Sequence, residues 1–318
     1  MPVRIGTSGW NYPSGKGTWN GIFYPLPEDR ERGFDELRFY AERFNTVEVN
    51  STFYGQPRAN AALGWAKRTP PDFEFAVKLY QKFTHPNMTG RPAQGQPERS
   101  RAVPIDQTAV SQADVDAFKG GIEPLAAAGK LGPLLIQFPF SFRHSSEAAD
   151  YLRWLLHAFH DYSLAVELRH RSWSDAQQET NALLDEHRAS FVQIDEPKFE
   201  SSIRQDLSAG KSEIYYVRFH GRNAREWWDH AESEDRYNYF YSDEELAPIA
   251  NKARIARDIK KKVYLLMNNH FSAQSVANAT TLKKMLNEPI TGKMTAEFVE
   301  RFPDLAGVVS TLPRARLL

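Results

Sequence analysis

Eight short apolar runs recur along the chain, at 3–8, 46–51, 73–80, 133–138, 164–169, 191–195, 214–220 and 263–268. Each is rich in Val, Ile, Leu, Phe or Tyr and has the length of a strand. Helical patterns follow most of them. Over 35–44, Leu37, Tyr40, Ala41 and Phe44 share one face, and over 147–159 Tyr151, Leu152, Leu155 and Leu156 do the same. Ser174 with Gln177, and Ser242 with Glu245, read as capping boxes, in which a serine oxygen and a side chain three residues on satisfy the free amides of a first turn. Segments 272–286 and 295–302 read as closing helices, whereas 197–211, after the sixth run, has little helical periodicity.

Alternating strand and helix units predict a parallel sheet with right-handed crossovers. Eight such units predict an α/β fold of one kind, a (β/α)8 TIM barrel with a closed parallel sheet and outer helices. An open doubly wound sheet is the alternative, but Gly6, Thr7, Ser8 and Gly9 run into Trp10 without the spacing of a dinucleotide-binding loop. Residues 1–318 are read as a single domain, with 81–118 and 221–243 as long loops over the carboxyl-end mouth.

Side chains alternate across a strand, so the polar members of each run should share one face. That places Gly6 and Ser8, Glu48 and Asn50, Ala76 and Lys78, Leu135 and Gln137, Glu167 and Arg169, Gln193 and Asp195, Tyr216, Arg218 and His220, and Asn268 and His270 toward the interior. The polar ones gather at the carboxyl ends, where barrel enzymes build their sites. Glu48, Glu167 and Asp195 are there opposed by Lys78, Arg169 and Arg218. Buried ions must be paired, so a purely structural network that sets strand register is one explanation of the pattern.

Composition narrows the alternatives. Apolar residues make up 41% and charged residues 25% of 318, enough for a large core. Lys plus Arg equals Asp plus Glu, 40 against 40, so no basic excess argues for nucleic acid or a membrane surface. The chain has no cysteine, which excludes disulfides, thiolate metal sites and a Cys nucleophile. No signal-type segment opens the chain and no run is long enough to span a membrane, so a cytoplasmic location is expected.

The favoured chemistry is an enzyme acting on a small anionic substrate, bearing phosphate or carboxylate. Arg169 and Arg218 would clamp the anion, Asn50, Lys78, Gln137 and Asn268 would line its site, and Glu48, Glu167, Asp195 and His220 would carry acid–base chemistry. The reaction class stays open between hydrolase and lyase or isomerase, and no cofactor is evident. A divalent metal on Glu48, Glu167, Asp195, His220 and His270 would give a metal-dependent phosphodiester-processing enzyme, but three cations compete for those carboxylates. The site therefore has no assigned metal ligand. Two carboxylates beside Trp227, Trp228 and Tyr239 would suit a glycosidase. Those aromatics with Tyr237, together with Arg91, Arg99 and Arg101, would suit a nucleic-acid-binding protein. A non-catalytic ligand-binding barrel is the last alternative. Oligomeric state is not legible.

Several blocks resemble the YecE-like family (domain of unknown function 72). They are Ile5 to Trp10, Trp19 with Phe23, Tyr24 and Pro25, and Phe44 to Tyr54, which is the most specific. Further matches are Phe75 to Lys78, Thr84 with His85, Gln137 to Pro139, Val166 to His170, Arg218 to Arg222 and Asn268 to His270. The resemblance spans nearly the whole chain and implies a TIM-barrel fold. It implies no particular activity, since the family has none established.

Overall fold

All eight runs form parallel strands in the computed structural model, which describes residues 3–85, 110–205, 210–225, 227 and 235–313. The strands are β1 (Arg4–Thr7), β2 (Thr46–Val49), β3 (Glu74–Lys78), β4 (Leu131–Gln137), β5 (Leu164–Glu167), β6 (Ser190–Phe191), β7 (Gln193–Asp195), β8 (Ile214–Phe219) and β9 (Lys262–Met267). The sixth run is divided between β6 and β7 at Val192, whose amide donates to Val166 O at 2.9 Å.

Two parallel sheets result, ordered β2-β3-β4-β5-β6 and β1-β9-β8-β7. They meet at both edges. On one side Ser8 and Glu48 form a parallel bridge. There β1 and β2 approach so closely that a Cβ on Gly6 would lie 2.1 Å from Thr46 O, which only glycine permits. On the other side Ser190 Oγ donates to Ile214 O at 2.9 Å.

Register fixes what shares a face. Glu48 pairs with Ala76, Lys78 with Leu135, Gln137 with Glu167, and Arg218 with Leu266. The opposite faces, Val47, Val49, Phe75, Val77, Leu134, Ile136, Val166, Val217, Phe219, Leu265 and Met267, are all buried. Leu37 and Tyr40, Val115 and Phe118, and Leu152 and Leu155, on the helices Glu36–Ala41, Gln112–Ala127 and Ser146–Ala158, join the same core. Burying such side chains contributes about 1.5–3 kcal/mol each before conformational entropy is subtracted. Among the described residues, no helix is long and apolar enough to cross a membrane.

Four local expectations change. Ser242 does cap Asp243–Ile259 in a capping box with Glu245. Ser174 does not cap a helix: it lies inside the turn Ser172–Asp175, its hydroxyl donates to Arg171 O, and Gln177–Glu186 starts without a side-chain cap. The helix expected at 272 begins at Gln274, because Ser272 and Ala273 take left-handed φ of 48° and 61°. The 81–118 segment is not loop throughout, since Gln81–Thr84 is a helical turn and Gln112–Ala127 carries its own capping box on Ser111. The remainder of that segment, 86–109, with Arg91, Arg99 and Arg101, lies outside the described residues, as does Trp228.

The fourth correction concerns the sixth run. Ile194, not Gln193 or Asp195, pairs with Arg218, so the inward set there is apolar. Gln193 and Asp195 point outward and line a groove of about 440 Å³ with Ile203, Tyr215, Val217 and Ile249. No helix forms among the described residues between β7 and β8, so the outer face of β7 lacks the cover its neighbours have and tolerates polar side chains.

Candidate functional site

At the carboxyl ends of β2, β5 and β8, three charged side chains lock together in a fully buried frame. Arg218 donates from Nε to Glu48 Oε2 at 2.9 Å and from Nη2 to Glu48 Oε1 at 2.6 Å. Its Nη1 donates to Glu167 Oε2 at 2.5 Å and to Gln137 Oε1 at 2.8 Å. Tyr216 adds a hydroxyl to Glu48 Oε2 at 2.9 Å. Glu167 Oε1 takes Arg169, whose Nε and Nη2 lie at 2.7 and 2.6 Å. Every oxygen of both carboxylates is thus engaged. A guanidinium spans two carboxylates because its donors fan out in a plane.

These contacts set the charge states. Burial alone would raise the Glu167 carboxyl, but Arg218 and Arg169 hold it well below the usual carboxylate range. Burial works against Arg218 as a cation, and Glu167 and Glu48 outweigh it, so Arg218 stays charged. His220, 1% exposed, is driven by burial down to about 4 and is neutral at pH 7. Asn268 Nδ2 lies 2.9 Å from His220 Nδ1, and His220 Nε2 lies 3.3 Å from Arg169 Nη2, 3.4 Å from Arg218 Nη1 and 3.5 Å from Glu167 Oε1.

Lys78 differs from every other cation in the cluster. It is half-buried at the end of β3, and its Nζ lies 4.0 Å from the centre of the Phe53 ring. Its amine makes no hydrogen bond and no ion pair among the described residues. The reason is competition: the two arginines have already taken the four carboxylate oxygens. Burial, then the nearby Arg218, push the amine down to about 7, while Glu48 and Glu167 only partly oppose them.

Other polar atoms around this end also lack partners. They include Ser8 Oγ after β1, Asn50 Oδ1 after β2, Glu196 Oε2 after β7, and Asn269 Oδ1 and His270 Nδ1 after β9. Arg169 Nη1 reaches only Glu196 Oε2, at 3.9 Å. Burial raises the Glu196 carboxyl despite Arg169. Buried polar groups are normally satisfied, so these atoms stand out from the saturated frame beside them.

The structure therefore brings together Glu48, Lys78, Gln137, Glu167, Arg169, Arg218, His220 and Asn268, with Asn50 beside them. It does not bring Asp195. That carboxylate turns outward to Arg222, which holds it at 2.8 Å from both Nε and Nη2, and to the Tyr241 hydroxyl at 2.8 Å. Glu196, one residue on, takes the inward place. His85 is a further member: it packs edge-on to Phe53 at 5.0 Å, and burial and the nearby Lys78 push it down to about 3. Tyr12 and Tyr237 flank His270, at 4.3 and 4.9 Å between ring centres. Strand alternation could not find His85 or Tyr12, which follow the strands; Tyr216 was on the inward face but carries no charge to flag it.

Of the aromatics after β8, Trp227 and Tyr241 are buried. Trp227 is 4% exposed and sits edge-on to His220, while Tyr239 donates to Glu245 at 2.6 Å. Gly221 turns the chain there with φ +88°, and a Cβ would collide with Tyr239 at 2.8 Å. Among the described residues, no group of three or more His, Asp and Glu side chains is placed to hold a metal ion.

Comparison with known proteins places these features in a family. The profile described as "Protein of unknown function DUF72" matches residues 4–300. UPF0759 protein YunF of Bacillus subtilis is 30% identical over 297 residues, covering 91% of this chain and 96% of its own. UPF0759 protein YecE of Escherichia coli is 30% identical over 83 residues, 26% of this chain and 25% of its own. A crystal structure of a DUF72 family protein from Thermotoga maritima is 34% identical with a TM-score of 0.72, covering 91% of this chain and 100% of its own. One from Enterococcus faecalis has the same TM-score at 24% identity, covering 92% and 99%.

Proposed function

The chain belongs to the DUF72 family of proteins of unknown function, and from that premise we propose a closed (β/α)8 barrel whose carboxyl-end mouth is an enzyme site for a small anionic substrate. Closure is supported by the two sheets meeting at both edges, through the Ser8–Glu48 bridge and through Ser190 to Ile214. The whole chain is then one domain. One observation carries the functional reading: beside a saturated frame of carboxylates and guanidiniums, the half-buried Lys78 amine has no hydrogen bond or ion pair among the described residues. A frame built only to set strand register would have no use for an amine that its carboxylates cannot reach.

In this reading Lys78, Arg169 Nη1 and the free Gln137 amide take the anion. Glu48, Glu167 and Arg218 position them, and His220, held by Asn268, packs against Arg169 and Glu167. Acid–base work falls to Lys78, whose ordinary range is shifted to about 7, and to Glu196, whose carboxyl burial raises. Asp195 has no part in it.

Calorimetry with inorganic phosphate, phosphoglycolate and succinate, on parent and Lys78→Met, tests the reading. At least one anion should bind the parent, and its affinity should fall tenfold or more in the variant, on the order of 1.4 kcal/mol. Equal binding to both proteins, or none to either, contradicts it. Nucleic acid is the second partner considered, but Trp227, one of the aromatics that would stack on bases, is packed against His220.

A further inference from the structure

We propose that Lys78 binds its substrate covalently, as an imine with a small anion that also bears an aldehyde or keto group. The inference rests on the anion reading above and names the substrate class more closely: a keto acid, an aldehyde acid or a phosphorylated carbonyl compound.

An anion-binding lysine needs only its charge, and is best kept as an ammonium by a nearby free carboxylate. Lys78 is placed otherwise. Its natural partners, Glu48 and Glu167, are occupied by Arg218 and Arg169 at 2.5 to 2.9 Å. The charged groups facing it are Arg218 from β8, Glu48 from β2, and Glu167 and Arg169 at the end of β5; His85, on the segment after β3, stays neutral. Its other side is the Phe53 ring. Burial and the two guanidiniums disfavour the ammonium, against Glu48, Glu167 and the face of the Phe53 ring, and leave a large fraction of the amine neutral and nucleophilic at neutral pH. The strand holds it in place: Thr52 Oγ1 donates to Lys78 O at 2.6 Å. The same arginine that helps discharge the amine, Arg169, presents an uncommitted Nη1 for the anionic group.

The step balances without a redox partner. The Lys78 nitrogen lone pair attacks the carbonyl carbon, a C–N bond forms, and the C=O π pair moves to oxygen, which is protonated. The carbinolamine then loses that hydroxyl as water after a second protonation, while nitrogen gives up one proton to solvent. Two protons taken up and one released give the protonated imine, C=NH+, and one water; loss of the second nitrogen proton gives the neutral imine. In its protonated form the imine carries a positive charge in the place of the former ammonium, facing Glu48 and Glu167.

Glyoxylate with sodium cyanoborohydride at pH 7 tests this on the full chain, the hydride serving only to trap the imine. Intact mass and peptide mapping should find one carboxymethyl group, on Lys78. It should form at least about tenfold faster than on exposed lysines such as Lys261, because a larger fraction of the Lys78 amine is neutral at that pH. Lys78→Arg keeps the cation but cannot form the adduct, so it should bind phosphate and escape labelling. Labelling of Lys78 no faster than of exposed lysines overturns the imine; if phosphate still binds and needs position 78 to be basic, the anion reading survives that failure. Uncharged propionaldehyde is the converse control. Faster labelling of Lys78 by glyoxylate than by propionaldehyde, relative to Lys261, supports both readings, whereas equal enhancement by the two keeps the imine and removes the anion.

Discussion

One strand carries two opposite solutions to the same problem. Glu74 opens β3 and Lys78 closes it, four residues apart on the same face. At the amino end, Glu74 accepts from Arg4 at 2.9 Å, from Lys262 at 2.8 Å and from the Tyr264 hydroxyl. Burial would raise its carboxyl, but Lys262, Tyr264 and Arg4 hold it below its ordinary value. At the carboxyl end, Lys78 has two carboxylates in its neighbourhood and bonds to neither. The amino-end cluster is complete as it stands. The carboxyl-end cluster leaves Lys78 Nζ, Arg169 Nη1 and several buried polar atoms without a hydrogen-bond partner among the described residues. In parallel α/β barrels it is the carboxyl end of the strands at which sites are built.

Breaking the inner frame should have the largest effect. Glu167→Gln strips the charge that balances Arg169 and Arg218 and should cost roughly 3–5 kcal/mol in a denaturant titration. A loss below about 1 kcal/mol would mean that the frame is solvated. The pH dependence sharpens this. The folded Glu167 carboxyl lies well below its unfolded value of 4.5, so its contribution is full above that pH and is lost as pH falls through the folded value. Gln does not titrate, so the stability gap between parent and variant should narrow on acidification below pH 4.5. A gap that is constant from pH 7 to the acid limit contradicts the assignment.

Glu74→Gln should cost less, about 1–2 kcal/mol, because Lys262 is half exposed and water can replace its partner. A larger loss than that of Glu167→Gln would reverse the comparison between the two ends. Lys78→Met should cost least. Removing a cation that has no hydrogen bond or ion pair among the described residues should leave the melting temperature unchanged or raise it, within about 1 kcal/mol of the parent. A large destabilisation would make Lys78 a structural member of the frame.

Much of this was legible in sequence, and the failures have one physical source. Alternation identifies a face when polar and apolar residues sort to opposite sides, as at Val47, Glu48, Val49 and at Val217, Arg218, Phe219. It then places Glu48, Lys78, Gln137, Glu167, Arg169, Arg218, His220 and Asn268 together without coordinates. At Val192, Gln193, Ile194, Asp195 the sorting is just as clean, but the sides are exchanged. There no helix among the described residues covers the outer side, Gln193 and Asp195 line a groove of mixed polarity, and Val192 and Ile194 fill the interior. Pattern reveals that two faces differ, and only the surrounding packing decides which is inside. Residues beyond the strand ends, Glu196, His85 and Tyr12, obey no period, so nothing in the spacing marked them. The competition that isolates Lys78 is a matter of distances between β2, β5 and β8, which no local pattern encodes.

The central claim is that Arg218 and Arg169 deprive Lys78 of its carboxylates and leave a discharged amine at the mouth. An NMR titration following the Lys78 side chain with labelled lysine, assigned by comparison with Lys78→Arg, measures this directly. Titration near pH 7 is expected, moving upward when phosphate is added, since a bound anion favours the ammonium. Titration near the ordinary lysine value of 10.5, indifferent to phosphate, would contradict it.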